Sequence, residues 1–242
     1  LCIGKSLRHA NFIIERKLEE EAAFREARRK EREEQHLYLT VRVITEDTFQ
    51  AHGGIDLTIF DQSHDNDPAA ARSYRLLRKS TIKELTERIA EDVSTEPRKL
   101  RLWCMVNRQN KTTRPDQPIL DANQTIEEAH LKLAGSKTQE LRLWAEAAQE
   151  FDADGAPIWP TYQASNGAPA KTDLIVLFLK WFDIDSQRLV GCGHIYISKE
   201  RKVEDLAPII LKRMEWPETT HLRLFEVRSL KPYLCSEMLT IS

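Results

Sequence analysis

Long apolar runs are missing from this sequence. The longest reads from Leu174 to Leu179, where a membrane-spanning helix needs about 20 such residues, so no transmembrane helix can form. Charge of one sign is missing too, since 36 Lys and Arg stand against 38 Asp and Glu in 242 residues. So even a balance gives neither nucleic acid nor an anionic membrane an electrostatic handle, and neither is expected as a partner. Cysteine is scarce: Cys2, Cys104, Cys192 and Cys235 are scattered without a CxxC pair, which fits reduced thiols in a cytosolic or nuclear protein better than a disulfide framework. The His and Cys residues never approach zinc-site spacing, so no metal or other cofactor is expected. The start, Leu1 to Ser6, has no initiator Met and no signal-peptide pattern. The chain is accordingly read as a fragment of a larger protein.

Glycine and proline are also absent from Leu7 to His36, and Glu15 to Glu34 is almost entirely Glu, Arg, Lys and Ala. That composition predicts a charged connecting helix over residues 1–36. Glu21 with Arg25 and Glu26 with Lys30 are i,i+4 pairs in the favourable order. Ile13, Ile14, Leu18 and Phe24 lie in its first half, and beyond Ala27 it is polar all round, as expected of a helix that bridges through solvent.

At His36 the period changes to two. Leu37, Leu39, Val41 and Val43 alternate with Tyr38, Thr40, Arg42 and Ile44, which reads as a strand with one buried face. A second strand is expected at Tyr74–Leu77 after a loop from His52 to Ala71. Thr81 to Glu84 fits a capping box and opens a helix with Ile82, Leu85 and Ile89 inward. Leu100, Leu102 and Cys104 alternate as a third strand, Arg108–Pro118 reads as a loop because of Pro115 and Pro118, short helical turns follow at Ile126–Leu133, and Glu140–Trp144 is a last strand. The stretch 152–173, rich in Gly and Pro, reads as a linker, and its Trp159 and Tyr162 are apolar enough to dock on a neighbour.

The pattern then begins again. Strands at Leu174–Phe182 and Leu189–Ile197 precede a helix whose Val203, Leu206 and Ile210 repeat the spacing of Ile82, Leu85 and Ile89, and Leu222–Phe225 resembles the strand opening at Leu100–Trp103. Two copies of one small α+β fold are the simplest account. A strand hairpin, a helix laid across the sheet and further strands is the order of the ubiquitin-like β-grasp. The expected division is 37–151 for the first copy, 152–173 for the linker and 174–242 for the second, which runs out at Ser242 before a closing strand is evident: either that strand lies beyond the fragment or the second copy is incomplete here.

Several joints carry a family resemblance: Arg29 to Tyr38, Glu46-Asp47-Thr48-Phe49 with His52, Leu100-Arg101-Leu102-Trp103, Val176 to Lys180, and Cys192-Gly193-His194-Ile195-Tyr196. Over roughly Arg29 to Val227 the chain resembles the ubiquitin-specific protease 7 (herpesvirus-associated ubiquitin-specific protease) family, in its connecting helix and first two ubiquitin-like domains. The resemblance implies a parent deubiquitinase with an upstream cysteine-protease domain. It also implies a docking role here, with ubiquitinated substrates, chromatin or nuclear regulators and the parent's own catalytic domain as partners, in nucleus and cytoplasm. The chain itself is expected to be non-catalytic and monomeric. The family's acidic turn before the last strand of the second domain has no counterpart after Leu230, so no residue inherits that role.

From the residues alone, Glu200, Glu204 and Asp205 are the candidate partner-binding group: an acidic spot for Lys or Arg motifs, or else a complement to a helix macrodipole. Cys192 and His194, two apart in a strand, would share a face, which leaves a thiol hydrolase as a competing class, though no Cys box, orienting carboxylate or oxyanion hole accompanies them. No catalytic residue is assigned. Asp61 to Asp67 imitates a calcium loop but has Asn66 where Gly is needed and Arg72 where a bidentate Glu belongs. Trp103 and Trp144 are read either as core or as partner-facing anchors. A structural spacer without a partner of its own is the remaining alternative.

Overall fold

The computed structural model describes residues 3–64, 66–108, 112–134, 140–160, 164–165, 168–169 and 173–225. It is an α+β protein. Helix α1 (Ile3–Glu34) spans 32 residues, about 48 Å at 1.5 Å per residue. Every described side chain from Glu15 to Glu33 is exposed, Leu18 and Phe24 included, so over that stretch the helix packs on nothing. Arg25 pairs with Glu21, while Arg29 rather than Lys30 reaches Glu26 and also Glu33.

A single 3-10 turn, Gln35–Leu37, leads into β1 (Tyr38–Ile44). Helix α2 (Glu46–Ala51), β2 (Arg72–Leu77), α3 (Ile82–Asp92), β3 (Leu100–Asn107), β4 (Thr113–Pro118), α4 (Ile126–Ala129) and β5 (Glu140–Ala147) follow. The strands form one mixed sheet in the order β2-β1-β5-β3-β4, with β1 and β5 parallel and the other pairs antiparallel. This is the strand order of a ubiquitin-like sheet. On one face α3 buries Ile82, Leu85 and Ile89 against Val41, Leu141 and Leu143. Each such fully buried aliphatic side chain contributes roughly 1.5–3 kcal/mol. The Thr81 hydroxyl caps α3 by accepting the Glu84 amide, and at α4 Thr125 and Glu128 form the reciprocal capping box.

Three expectations change. The stretch read as a loop up to Pro118 contains β4, because an edge strand can do without the N–H groups that Pro115 and Pro118 lack. Helix α2 lies where no helix was expected; Thr45 N-caps it, its amide donating to the Thr48 hydroxyl at 3.0 Å. And β1 is buried on both faces at its end, Arg42 and Ile44 as well as Val41 and Val43, because the reverse face of the sheet is covered.

What covers it comes after the linker. Two short pairs, β6 (Glu150–Phe151) with β7 (Pro157–Ile158) and β8 (Ala164–Ser165) with β9 (Ala168–Pro169), precede the antiparallel hairpin of β10 (Leu174–Asp183) and β11 (Arg188–Ser198) and helix α5 (Leu206–Arg213). Trp159 docks as expected, with the Arg101 guanidinium 4.5 Å from its ring centre, while Tyr162 lies outside the described residues. Hairpin then helix repeats the opening of the first copy, with one departure. Val203 belongs to a 3-10 turn ahead of α5 and is exposed, so Ile210 and Leu211 carry the buried face. The expected strand at 222–225 is not formed, since no partner strand lies beside it among the described residues. Residues 226–242 lie outside them.

Candidate functional site

Alternation in the sheet decides what meets the hairpin. On β5, Leu141, Leu143 and Ala145 turn toward α3, which leaves Trp144 and Glu146 on the reverse face; on β3 the reverse face receives Arg101, Trp103 and Met105. Trp144 is 1% exposed. Its ring meets Phe178 edge-on at 4.9 Å and His194 edge-on at 4.8 Å, with Trp103 at 5.8 Å. The two tryptophans are therefore buried, but in a seam between sheet and hairpin rather than under α3.

Glu146 is the polar hub of that seam. It accepts from Arg101 Nε at 2.8 Å, from Trp103 Nε1 at 2.6 Å and from the Tyr196 hydroxyl, and His194 Nε2 lies 3.5 Å away. Burial alone would raise its pKa, but the His194 hydrogen bond, the Arg101 charge and the Tyr196 and Trp103 bonds outweigh it and hold the carboxyl below its ordinary value. Charge-assisted bonds of this kind are about twice as strong as neutral ones.

A second tie lies at the far end of the hairpin. Lys180 Nζ donates to the carbonyls of His52 at 2.9 Å and Gly54 at 2.7 Å, just past the end of α2, and sits 5.0 Å from the Phe49 ring centre. Burial pushes this lysine down to about 8. Close approach there requires glycine: a Cβ on Gly191 would stand 2.5 Å from the Phe49 carbonyl oxygen. Gly193, at φ +87, occupies an irregularity in the hairpin register, where Arg213 donates to the carbonyls of Cys192 at 3.0 Å and His194 at 2.9 Å.

That irregularity answers the question of Cys192 and His194. Phe178 pairs with His194 and Lys180 with Gly191, so one strand spends an extra residue and the simple alternation ends. The His194 ring turns into the seam among Trp144, Glu146 and Gln149, with Gln149 Nε2 at 3.1 Å from its Nε2. The Cys192 thiol instead lies 3.4 Å from the Val190 carbonyl of its own strand, and burial holds it above its ordinary value. A thiol held protonated is a poor nucleophile, and the expectation of a shared face is overturned by the extra residue.

Of the acidic candidates, Glu200 lies just beyond β11 and is exposed, and Glu204 is exposed in the turn before α5. Asp205, in the same turn, is half-buried, and its carboxylate accepts the Lys202 amide at 3.2 Å, closing that turn. In the acidic loop, Asp61 and Asp67 accept the amides of Ser63 and Ala69. Among the described residues no group of three or more His, Cys, Asp or Glu is arranged to hold a metal. Sequence reasoning did not find Glu146, Tyr196, Lys180 or Arg213. A carboxylate within Leu143 to Ala147, otherwise apolar, was the available signal, since a buried charge demands partners.

Residues 100–239 match the family described as the ICP0-binding domain of ubiquitin-specific protease 7. The chain belongs to that family. The matched stretch begins at β3 and holds every residue of the Glu146 hub. Ubiquitin carboxyl-terminal hydrolase 5 of Schizosaccharomyces pombe is 28% identical over 207 residues, covering 86% of this chain and 18% of its own. Ubiquitin carboxyl-terminal hydrolase 15 of the same yeast is 29% identical, covering 89% and 18%. Ubiquitin carboxyl-terminal hydrolase 7 of Drosophila melanogaster is 24% identical, covering 88% and 17%. This ICP0-binding-domain family member thus spans about a fifth of the length of the relatives it matches.

Proposed function

We propose that this chain is a non-catalytic docking region of a cysteine-type ubiquitin carboxyl-terminal hydrolase. Helix α1 leads into two tandem ubiquitin-like β-grasp units, 37–151 and 174–242, joined by 152–173. They present bound proteins, ubiquitinated substrates and nuclear or chromatin regulators among them, to the parent's protease domain. The region works as a monomer, in nucleus and cytoplasm. The observation that carries this reading is the match of residues 100–239 to a domain described by the protein it binds. Local chemistry supports it: the Cys192 thiol is held protonated and His194 is committed to Glu146 and Gln149.

The seam restricts where a partner can bind. Trp103, Met105 and Trp144 are buried, so the reverse face of the sheet is taken by the hairpin. The exposed carboxylates of Glu200 and Glu204 remain open to Lys or Arg side chains, whereas Asp205 is occupied in its own turn. The test is affinity capture from nuclear extract with the whole chain and with Glu200→Lys/Glu204→Lys. Partners retained by the first and lost by the second support docking at that spot. A chain that captures nothing is a spacer, and one that hydrolyses a fluorogenic ubiquitin conjugate, with loss of activity on Cys192→Ala, is an enzyme. Truncation after residue 170 is a poorer probe, because it would strip Trp144 and Trp103 of their cover.

A further inference from the structure

Nothing between α1 and β1 acts as a flexible joint. No glycine or proline occurs from Leu7 to His52. Glu34 keeps helical dihedrals (φ −90, ψ −11), the 3-10 turn follows at once, and Tyr38 is already extended (φ −107, ψ 152). The described side chains from Glu15 to Glu33 are exposed and pack on nothing that would hold the helix direction. Over that length the junction is what sets it.

The last carbonyls of a helix have no intrahelical partner and carry the negative end of its dipole, so a cation that donates hydrogen bonds there is doubly favoured. Arg78, the residue after β2, does this for the 3-10 turn Gln35–Leu37 that continues α1. Its Nε donates to the His36 carbonyl at 2.9 Å, and its amide donates to the Leu37 carbonyl at 2.8 Å. Its Nη1 stands 3.7 Å from Glu127 Oε1, and the Glu127 amide donates to the Arg78 carbonyl at 3.0 Å. One residue thus ties together the 3-10 turn that follows α1, the end of β2 and the first turn of α4. A planar guanidinium serves two directions at once, as an ammonium does not.

We propose that Arg78 is a positioning residue that clamps the 3-10 turn continuing α1 and so fixes the helix direction relative to the sheet, making α1 a rigid arm rather than a tether. The use of such an arm, holding docked partners at a set place from the protease domain, rests on the docking reading above; the clamp itself does not.

Residual dipolar couplings of the backbone amides, measured on the whole chain in a weakly aligning medium, test it. In the wild type, one alignment frame is expected to fit α1 and the strands β1, β3 and β5. In Arg78→Ala the strands keep their frame, which shows that the sheet is folded, while the α1 couplings shrink and no longer fit it. Two frames in the wild type, or one shared frame in Arg78→Ala, overturns the clamp. Should Arg78→Ala unfold the sheet, Arg78→Gln, which keeps much of the stem and loses the charged fork, is read by the same criterion. Failure of the docking reading shows differently, as an absence of partners with the shared frame intact.

Discussion

The Tyr196 hydroxyl, on β11, donates to the Glu146 carboxylate on β5. A residue of the hairpin thereby completes an ion pair that belongs to the sheet, and Arg101, Trp103 and Tyr196 saturate one buried carboxylate together. Removing a hydrogen bond to a charged group costs about 1.5–3 kcal/mol, so Tyr196→Phe should lower unfolding stability by that much. Glu146→Ala leaves the Arg101 charge buried without its partner and should cost about 3–5 kcal/mol. Urea denaturation gives both values. Because the two side chains touch, the double variant should lose less than the sum.

Acid should weaken the same seam. The folded Glu146 carboxyl titrates below its ordinary 4.5, so its contribution is complete above that value and is lost as pH falls through the lower folded one. Chemical denaturation midpoints measured from neutral pH down toward pH 3 should fall for the wild type and fall less steeply for Glu146→Gln.

At alkaline pH Lys180 should act in the same sense, through a cation rather than a carboxylate. Its folded value of about 8 lies below the ordinary 10.5, so the unfolded chain holds more protons in that interval and stability rises with pH across it. Tyr74, raised by burial and by its bond to Asp92, works against this above its ordinary 10.0, where the unfolded chain loses its proton first. The Cys104 and Cys192 thiols, both raised by burial from an ordinary 9.0, oppose it from about pH 9 upward, so the clearest window is about pH 8–9 and the comparison with Lys180→Gln, which keeps both thiols, isolates the lysine. There the wild-type slope of stability against pH should exceed that of Lys180→Gln; equal slopes would count against a desolvated ammonium.

Gly191→Ala should separate hairpin from sheet more than it harms either. The added methyl would stand 2.5 Å from the Phe49 carbonyl oxygen, and backbone cannot yield as a side-chain tip can. An overpacking cost of about 1–3 kcal/mol is expected. Near-ultraviolet circular dichroism, to which the packed Trp103 and Trp144 contribute, should change while the far-ultraviolet spectrum holds.

Elements with strong periodicity were legible in the sequence. The charged run gave α1, and Thr81 with Ile82, Leu85 and Ile89 gave α3 with its buried face. What periodicity could not show was which apolar residues belong to a second surface. Trp103 and Trp144 read as either core or anchor, and the hairpin partner that decides between them lies far away in sequence. Helix α2 was missed because six residues are too few to show a period, although Thr45 ahead of Glu46 and Asp47 is a start signal. At Cys192 and His194 the strict period of two misled, since one extra residue beside Gly193 breaks it. Of the acidic candidates, Asp205 was indistinguishable in sequence from Glu200 and Glu204, because the turn that occupies it is set by backbone geometry.

The prolines of β4 bear on something outside the molecule. That strand borders the sheet, and Pro115 and Pro118 offer no N–H to a newcomer, while the register slips at the exposed Asp116. A border interrupted by prolines, a bulge and a charge makes a poor template for another chain's strand. Replacing both prolines and Asp116 with Thr or Val would restore a continuous donor row, and the first symptom should be filament or aggregate formation at high concentration rather than a lower melting temperature.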